Sequence, residues 1–249
     1  MNRDYKSSDN NLVAGRNAVN ELLASGREID QIIVEKGKRE GSLSVILAKA
    51  AARGIPIKDV AREKLNALCP QTNHQGIAAY AAMVEYCSVS DILDLAAEKG
   101  EAPFVVVCDE IEDPHNLGAI IRTAECCGVH GVIIPKRRSC GINFAVSKAA
   151  CGALEYMKIA RVTNLAAAID ELKEAGVWVY AADMDGVDCE KQDFSGPAAL
   201  VVGSEGRGVG RLVKEKCDVI VSLPMRGRIT SLNASVAAGV LLYRILRDR

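Results

Sequence analysis

The chain is 249 residues long, 49% hydrophobic and 25% charged, with a formal net charge of −1. That composition suits one large or two small soluble domains, each able to bury its own core. It excludes capture of polyanions by overall charge alone, and no apolar run approaches the roughly 18 residues of a membrane helix.

Residues 1–10 read as a flexible tail. The opening MNRDYKSSDNN is polar and lacks the apolar core of a signal peptide, so a cytoplasmic protein is expected. Residues 11–84 alternate short helices and short apolar strands and read as a small α/β module. Helical periodicity in Arg16–Ala24 puts Val19, Leu22 and Leu23 on one side. A strand follows at 29–35, then a helix at 42–54 closed by Gly54. Strands are expected at 55–58 and 77–84, with a helix near 61–68 between them. Residues 85–100 read as a linker carrying one amphipathic helix, capped by Ser90 or Asp91 and ended by Gly100 and Pro103.

From residue 101 to 249, strands and helices alternate clearly. FVVVC at 104–108 is a continuous apolar run, as expected of a strand buried on both faces. Further strands are expected at 131–135, 177–182, 199–203 and 219–224. Helical patterns lie at about 117–127, 143–153, 164–175, 207–215 and 231–247. The fold class is α/β, with a mostly parallel sheet covered by helices on both faces.

The nine cysteines form no C-x-x-C pair, and no histidines stand at zinc spacing around them. No metal is implied, and they read as small buried hydrophobes in a reducing compartment. A catalytic thiol would need His74, His115 or His130 as its partner, and the sequence selects no pair. Basic residues are unevenly placed: Lys136, Arg137 and Arg138 form a cluster, and Arg207, Arg211, Arg226 and Arg228 fall in two glycine-containing loops.

Ligands of open parallel sheets bind beyond the C-terminal ends of the strands. Three loops there carry chemistry. The first is Asp109–Ala124, where Asn116 stands where a helix N-cap belongs and Gly118 permits close approach of another backbone. Arg122 lies among Ile120, Ile121 and Ala124, where an arginine is either salt-bridged or aimed into a polar site. The second is Val201–Gly208, whose G-x-x-G-x-G spacing is neither the dinucleotide fingerprint nor a P-loop, with Glu205 at its centre. The third is Ser222–Ala237, where Thr230 or Ser231 is expected to cap a helix with Asn233 in its first turn. Asparagine is a poor helix former away from the cap, so Asn233 needs a hydrogen-bonding reason to be there.

Taken together, these residues resemble the SpoU (TrmH) family of RNA ribose 2′-O-methyltransferases. The resemblance rests on Asp113, Pro114, Asn116, Gly118 and Arg122 in the first loop and Gly203, Glu205, Gly206 and Gly208 in the second. The third loop adds Pro224, Met225, Gly227, Ser231, Leu232, Asn233 and Ser235. Residues 11–84, beginning with VAGRNAV after Leu12, resemble the family's ribosomal-protein-like substrate-binding module. The resemblance implies a trefoil-knotted parallel-sheet methyltransferase domain over 101–249, S-adenosylmethionine as cofactor, and a homodimer as working unit. Its nearest substrate class is a guanosine in large-subunit rRNA; the alternatives are a tRNA ribose 2′-O-methyltransferase and a non-catalytic RNA-binding protein on the same scaffold.

By resemblance, Asn116, Arg122, Glu205, Ser231 and Asn233 form the catalytic set, and Gly203, Leu223, Met225 and Leu232 hold the cofactor. A guanidinium is effectively always protonated, so Arg122 is expected to clamp the developing oxyanion and the adjacent phosphate rather than to act as a base. Asn116, Glu205 and Asn233 would orient it and the ribose. With only 4% aromatic residues, stacking is not the main device. RNA contact is assigned to Lys136, Arg137, Arg138, Arg207 and Arg226.

Overall fold

The computed structural model describes residues 11–37, 40–70, 72–229 and 231–249. The expected tail, residues 1–10, and the candidate cap Thr230 lie outside the described residues. The chain divides into two compact units, residues 11–85 with 142–144 and residues 86–141 with 145–249.

The smaller unit runs β1 (Leu12–Ala14), α1 (Arg16–Ala24), β2 (Ile29–Glu35), α2 (Ser42–Ala52), β3 (Ile57–Val60), α3 (Arg62–Leu68) and β4 (Ile77–Ala81). Its sheet has the order β1-β4-β2-β3, with only β2 and β3 parallel. Side chains of a strand alternate between faces. Ile32 and Val34 of β2 accordingly pack with Val19, Leu22, Leu43 and Ile46 of α1 and α2. Ile33, between them, packs on the other face with Val60, Leu65 and Ala78. Both faces are covered, which is why IDQIIVE reads as a nearly unbroken apolar run. The third strand starts two residues later than expected. The N–H of Ile55 bonds to Ala50 O at 3.0 Å in the helix end, and Pro56 has no N–H to give to a ladder.

The larger unit contains α4 (Val89–Lys99), β5 (Phe104–Cys108), α5 (Pro114–Cys126), β6 (Gly131–Pro135), α6 (Phe144–Ala150), β7 (Lys158–Val162) and α7 (Leu165–Glu174). It continues with β8 (Trp178–Asp188), β9 (Ala198–Val202), α8 (Arg211–Lys214), β10 (Val219–Ser222) and α9 (Ala234–Leu246). The sheet is parallel throughout, in the order β10-β8-β9-β5-β6-β7. The chain reverses its direction of travel across the sheet between the neighbours β5 and β9, the switch point at which such sheets bind ligands.

Three expectations need correction. The stretch 85–100 is not a free linker: α4 buries Val89, Ile92 and Ala96, and Val89 and Ile92 join the core of the larger unit. Its cap is Ser88, which closes a capping box with Asp91. Strand β7 was missed because KIARV carries two cations, and it stands at the sheet edge, where polar residues are tolerated. The helix expected over 207–215 shrinks to Arg211–Lys214, because the loop before it is closed on itself.

Strand β8 has an irregularity that sequence periodicity does not reveal. Ile220 of β10 pairs with Ala181, but its neighbour Val221 pairs with Val187. Residues 182–186 therefore bow out of the ladder. The strand returns at Val187; at Gly186, just before it, an added Cβ would lie 2.6 Å from the backbone of Ile220.

The cysteines are less uniformly buried than expected: Cys69, Cys108, Cys127 and Cys189 are buried, Cys87, Cys140 and Cys217 are half-buried, and Cys126 and Cys151 are exposed. Burial pushes the thiols of Cys108 and Cys217 up to about 12 and that of Cys127 to about 11, which holds them in the unreactive protonated form. Among the described residues no helix is long and apolar enough to cross a membrane.

Candidate active site

The three loops converge through their side chains. In the first, Asp113 rather than Asn116 caps α5: its side chain accepts from His115 N at 2.9 Å, and Pro114 opens the helix. Asn116 is thereby moved one turn into the helix, where it is buried. Gly118, two residues on, meets α6 closely; a Cβ there would fall 2.5 Å from Ala149 Cβ.

In the third loop Asn233 is the cap of α9, correcting the expectation for Thr230 or Ser231. Its Oδ1 accepts from Ser235 N at 3.0 Å, Ser235 Oγ at 2.7 Å and Val236 N at 3.2 Å. Backbone N–H groups only donate, so Oδ1 must face them and Nδ2 must face away. That Nδ2 donates to Asn116 Oδ1 at 3.0 Å and to Glu205 Oε1. Asn116 in turn donates through Nδ2 to Glu205 Oε1 at 2.9 Å. One carboxylate oxygen thus takes two amide donors, while Glu205 Oε2 has no hydrogen-bond partner among the described residues.

Glu205 is held out by a closed loop. Ser204 and Gly208 form an antiparallel bridge, Gly206 and Gly208 have φ of +86° and +66°, and a Cβ at Gly203 would lie 2.0 Å from the Gly208 backbone. Only glycine fits such a conformation without strain. The loop is anchored behind by Asp109, whose Oδ2 accepts from Gly210 N at 2.7 Å. Burial pushes the Asp109 carboxyl above its ordinary range, and the Gly210 bond only partly offsets that.

Glu205 stands between two cavities. The larger, of about 690 Å³, is lined by Gly203, Leu223, Met225, Ser231 and Leu232, together with Ala182–Asp185 of the outward bow in β8. The smaller, of about 280 Å³, is lined by Glu110, Asp113, Asn116 and Arg207. Glu205, Ser204, Arg207 and Ala234 border both. Asp183 and Lys214 pair in the wall of the larger cavity. Burial pushes the Asp183 carboxyl up, but the Lys214 ammonium and the N–H groups of Asp185 and Met184 outweigh it, and the net shift is downward.

Arg122 is not part of this cluster within the chain. It lies six residues past Asn116 on α5, about 120° around the helix and about 9 Å along it. Its Nη1 donates to Cys151 Sγ at 3.4 Å, and the side chain is exposed. Ser231 lines the larger cavity and has no bond to the Asn116–Glu205–Asn233 trio. Of the basic residues, Arg138 and Arg207 are brought together: Glu110 reaches Arg138 at 3.3 Å and Arg207 at 3.9 Å. Arg137 and Arg226 are exposed and have no ion-pair partner among the described residues, and Lys136 is half-buried.

Sequence reasoning missed Glu110 and the Asp183–Lys214 pair. Glu110 lies two residues past the C-terminal end of β5, the end where ligands bind. The segment DMDG after VWVYAA is a fourth polar, glycine-bearing stretch at the C-terminal end of a strand, and it carried the same signal as the three loops that were read.

Residues 103–243 match the model of the SpoU rRNA methylase family, and residues 12–87 match the model for RNA 2′-O ribose methyltransferase substrate binding. The chain belongs to the SpoU methylase family. This SpoU-family chain is an RNA 2′-O ribose methyltransferase of the tRNA- and rRNA-modifying group. It is 46% identical over 244 residues to the TrmH-family protein YacO of Bacillus subtilis (strain 168), covering 98% of both chains; that relative's name leaves tRNA and rRNA open. An AdoMet-bound rRNA methyltransferase from Sinorhizobium meliloti superimposes with a TM-score of 0.60 at 26% identity, covering 95% of this chain and 86% of that one. The A. aeolicus TrmH/SpoU tRNA modifying enzyme gives a TM-score of 0.54 at 28% identity, covering 65% of this chain and 84% of that one.

Proposed function

We propose that this SpoU-family chain methylates the ribose 2′-hydroxyl of a guanosine in large-subunit (23S) rRNA, acting as a homodimer on a trefoil-knotted catalytic domain. The methyl donor is S-adenosylmethionine. The observation that carries the reading is the position of Glu205, fixed by two asparagine amides between a glycine-lined cavity and a smaller polar one. The larger cavity fits the donor: Gly203 lines it, and Leu223, Met225 and Leu232 offer an apolar wall. When bound there, the donor supplies an electrophilic methyl carbon on a sulfonium.

The protein's part is positioning and charge. Asn116 and Asn233 hold Oε1 of Glu205, leaving Oε2 to orient the ribose at the smaller cavity. Arg207, at the border, and Arg138, beside it on Glu110, stand ready for RNA phosphates, with Lys136, Arg137 and Arg226 as further phosphate contacts. Arg122 clamps the developing oxyanion and the neighbouring phosphate, whose oxygen, or a water, takes the proton.

Arg122 faces away from the trio in its own chain, so it would serve the site of a second copy. An exposed stripe of Val236, Val240 and Tyr243 on α9 supports that arrangement. These positions share one helix face, and a contiguous apolar surface of this kind favours a covering partner. A Cβ added at Gly239 of the same helix would lie 3.6 Å from Thr123 Cγ2, next to Arg122.

rRNA is favoured because the rRNA methyltransferase structure is matched over 95% of this chain, including the small unit, whereas the tRNA enzyme is matched over 65%. The test is to map ribose methylation across all RNAs of a strain lacking the gene. One 23S guanosine should lose its 2′-O-methyl group. Loss at a tRNA position instead would overturn the choice of RNA, and no loss anywhere would overturn the activity.

A further inference from the structure

The smaller unit carries a cleft that plays no part in the chemistry above. Its volume is about 640 Å³, and Arg16, Arg62, Asn66, Asn73, His74 and Gln75 line it. That size lies within the range of about 300–1,000 Å³ usual for small-ligand sites. Glu35 is the single carboxylate among the described lining residues, against two guanidinium groups. No Phe, Tyr or Trp is among them, so a flat ligand would be held by hydrogen bonds and charge rather than by stacking.

The lining is locked in place. His74 is buried, and its Nδ1 accepts from Gly76 N at 3.0 Å. The ring proton must then sit on Nε2, which donates to Asn66 Oδ1 at 2.8 Å. With its oxygen engaged, Asn66 presents Nδ2 donors that have no partner among the described residues.

Arg16 is fixed as well, donating through Nε to Gln75 O at 3.2 Å and through Nη1 to Ser42 Oγ at 3.2 Å. Gln75 returns a bond, its Oε1 accepting from Arg16 N at 3.1 Å. Ile77 N closes the turn onto His74 O at 2.9 Å, with φ of +50° at Gln75 and +85° at Gly76. Such a left-handed pair favours Asn-Gly. A glutamine persists there because Arg16 ties down both its side chain and its carbonyl. Arg62, at the start of α3, has no ion-pair partner among the described residues.

We propose that this cleft receives one unpaired nucleotide of the RNA substrate. Arg16 and Arg62 meet its phosphate, and Asn66 and Asn73 meet the edge of its base. Carboxamides offer the donors and acceptors that base edges require, and proteins read RNA sequence mainly on splayed, unpaired bases. The Asn66 donors select a base acceptor, a carbonyl oxygen or a ring nitrogen. The inference rests on the reading of the chain as an RNA methyltransferase.

Total RNA from a strain lacking the gene holds the unmethylated substrate and serves as the probe. The full-length protein, with radiolabelled methyl donor, is compared with Arg62→Ala and with Asn66→Asp, which keeps the shape and the bond from His74 but removes the donors. Each variant should raise KM for RNA about tenfold. Each should leave kcat at saturating RNA and the affinity for S-adenosylmethionine within twofold. Arg62→Ala should also flatten the log–log salt dependence of RNA binding by about 0.7, the loss of one single-strand phosphate contact. Both side chains are exposed, and melting curves check that the fold is intact. Unchanged KM in both variants, beside an active wild type, would overturn the cleft. An inactive wild type would instead overturn the activity on which it rests.

Discussion

Asn233 and Asn116 stand 117 positions apart, and Nδ2 of the first donates to Oδ1 of the second at 3.0 Å. The bond draws the start of α9 against the first turn of α5 and places both amides on one oxygen of Glu205. Asn233 therefore has two duties, capping a helix with Oδ1 and fixing a carboxylate with Nδ2.

The two duties separate by substitution. Asn233→Asp keeps the cap acceptor but replaces the Nδ2 donor with a second carboxylate oxygen facing Glu205. It should melt close to the wild type while kcat falls on the order of 100-fold, the scale of losing one preorganised donor. Asn233→Ala should lose activity and, through the cap, about 1 kcal/mol of stability. Wild-type turnover in Asn233→Asp would show that the trio does not act in the reaction.

Arg122 offers a test of the second copy. Arg122→Ala and Asn233→Asp should each be inactive alone. If the arginine serves the neighbouring chain, subunit exchange between them creates dimers with one intact site, and roughly a quarter of wild-type activity should return. No recovery after confirmed exchange would place the arginine and the asparagine in the same chain's site. Arg122→Lys, which keeps the charge but loses the planar fork, should remain strongly impaired.

Gly186 stands just before β8 rejoins the ladder at Val187, with space for no side chain beside Ile220. Gly186→Ala should cost about 1–3 kcal/mol in the manner of overpacking. Because residues 182–185 wall the larger cavity, calorimetry should also show weaker binding of S-adenosylmethionine. Unaltered donor affinity would mean that the bow does not shape the site.

The Asp183–Lys214 pair predicts a pH dependence. The folded carboxyl titrates below its ordinary value of 3.8. Its contribution to stability is therefore complete above that value and drains away as pH falls through the lower folded value. Asp183→Asn should lower the melting temperature by about 2–4 °C near neutrality. The gap to the wild type should close on acidification below about pH 4. A gap that stayed constant into strong acid would show that the ion pair is not its source.

Much of the architecture was legible in the chain itself. Runs such as FVVVC announce doubly covered strands because a parallel sheet buries both faces, and Val19, Leu22 and Leu23 announce the buried face of a helix because the α period brings them together. Glycine spacing and the odd polar residues Asn116, Glu205 and Asn233 marked three loops worth reading. The outward bow of β8 was invisible, since a change of register leaves no periodic trace in the strand that makes it. The caps were misassigned for a related reason: Asp113, Asn116, Ser231 and Asn233 all have side chains able to cap, and only the path of the backbone decides which one meets free N–H groups. The direction of Arg122 was likewise undecided. Periodicity states which residues share a helix face, but what stands opposite that face depends on packing between segments far apart in sequence. Composition, motif and period thus determined the elements and the chemistry on offer, while the tertiary structure alone decided which side chains meet, because hydrogen bonds across 89 and 117 residues are set by sheet order and loop closure rather than by any local preference.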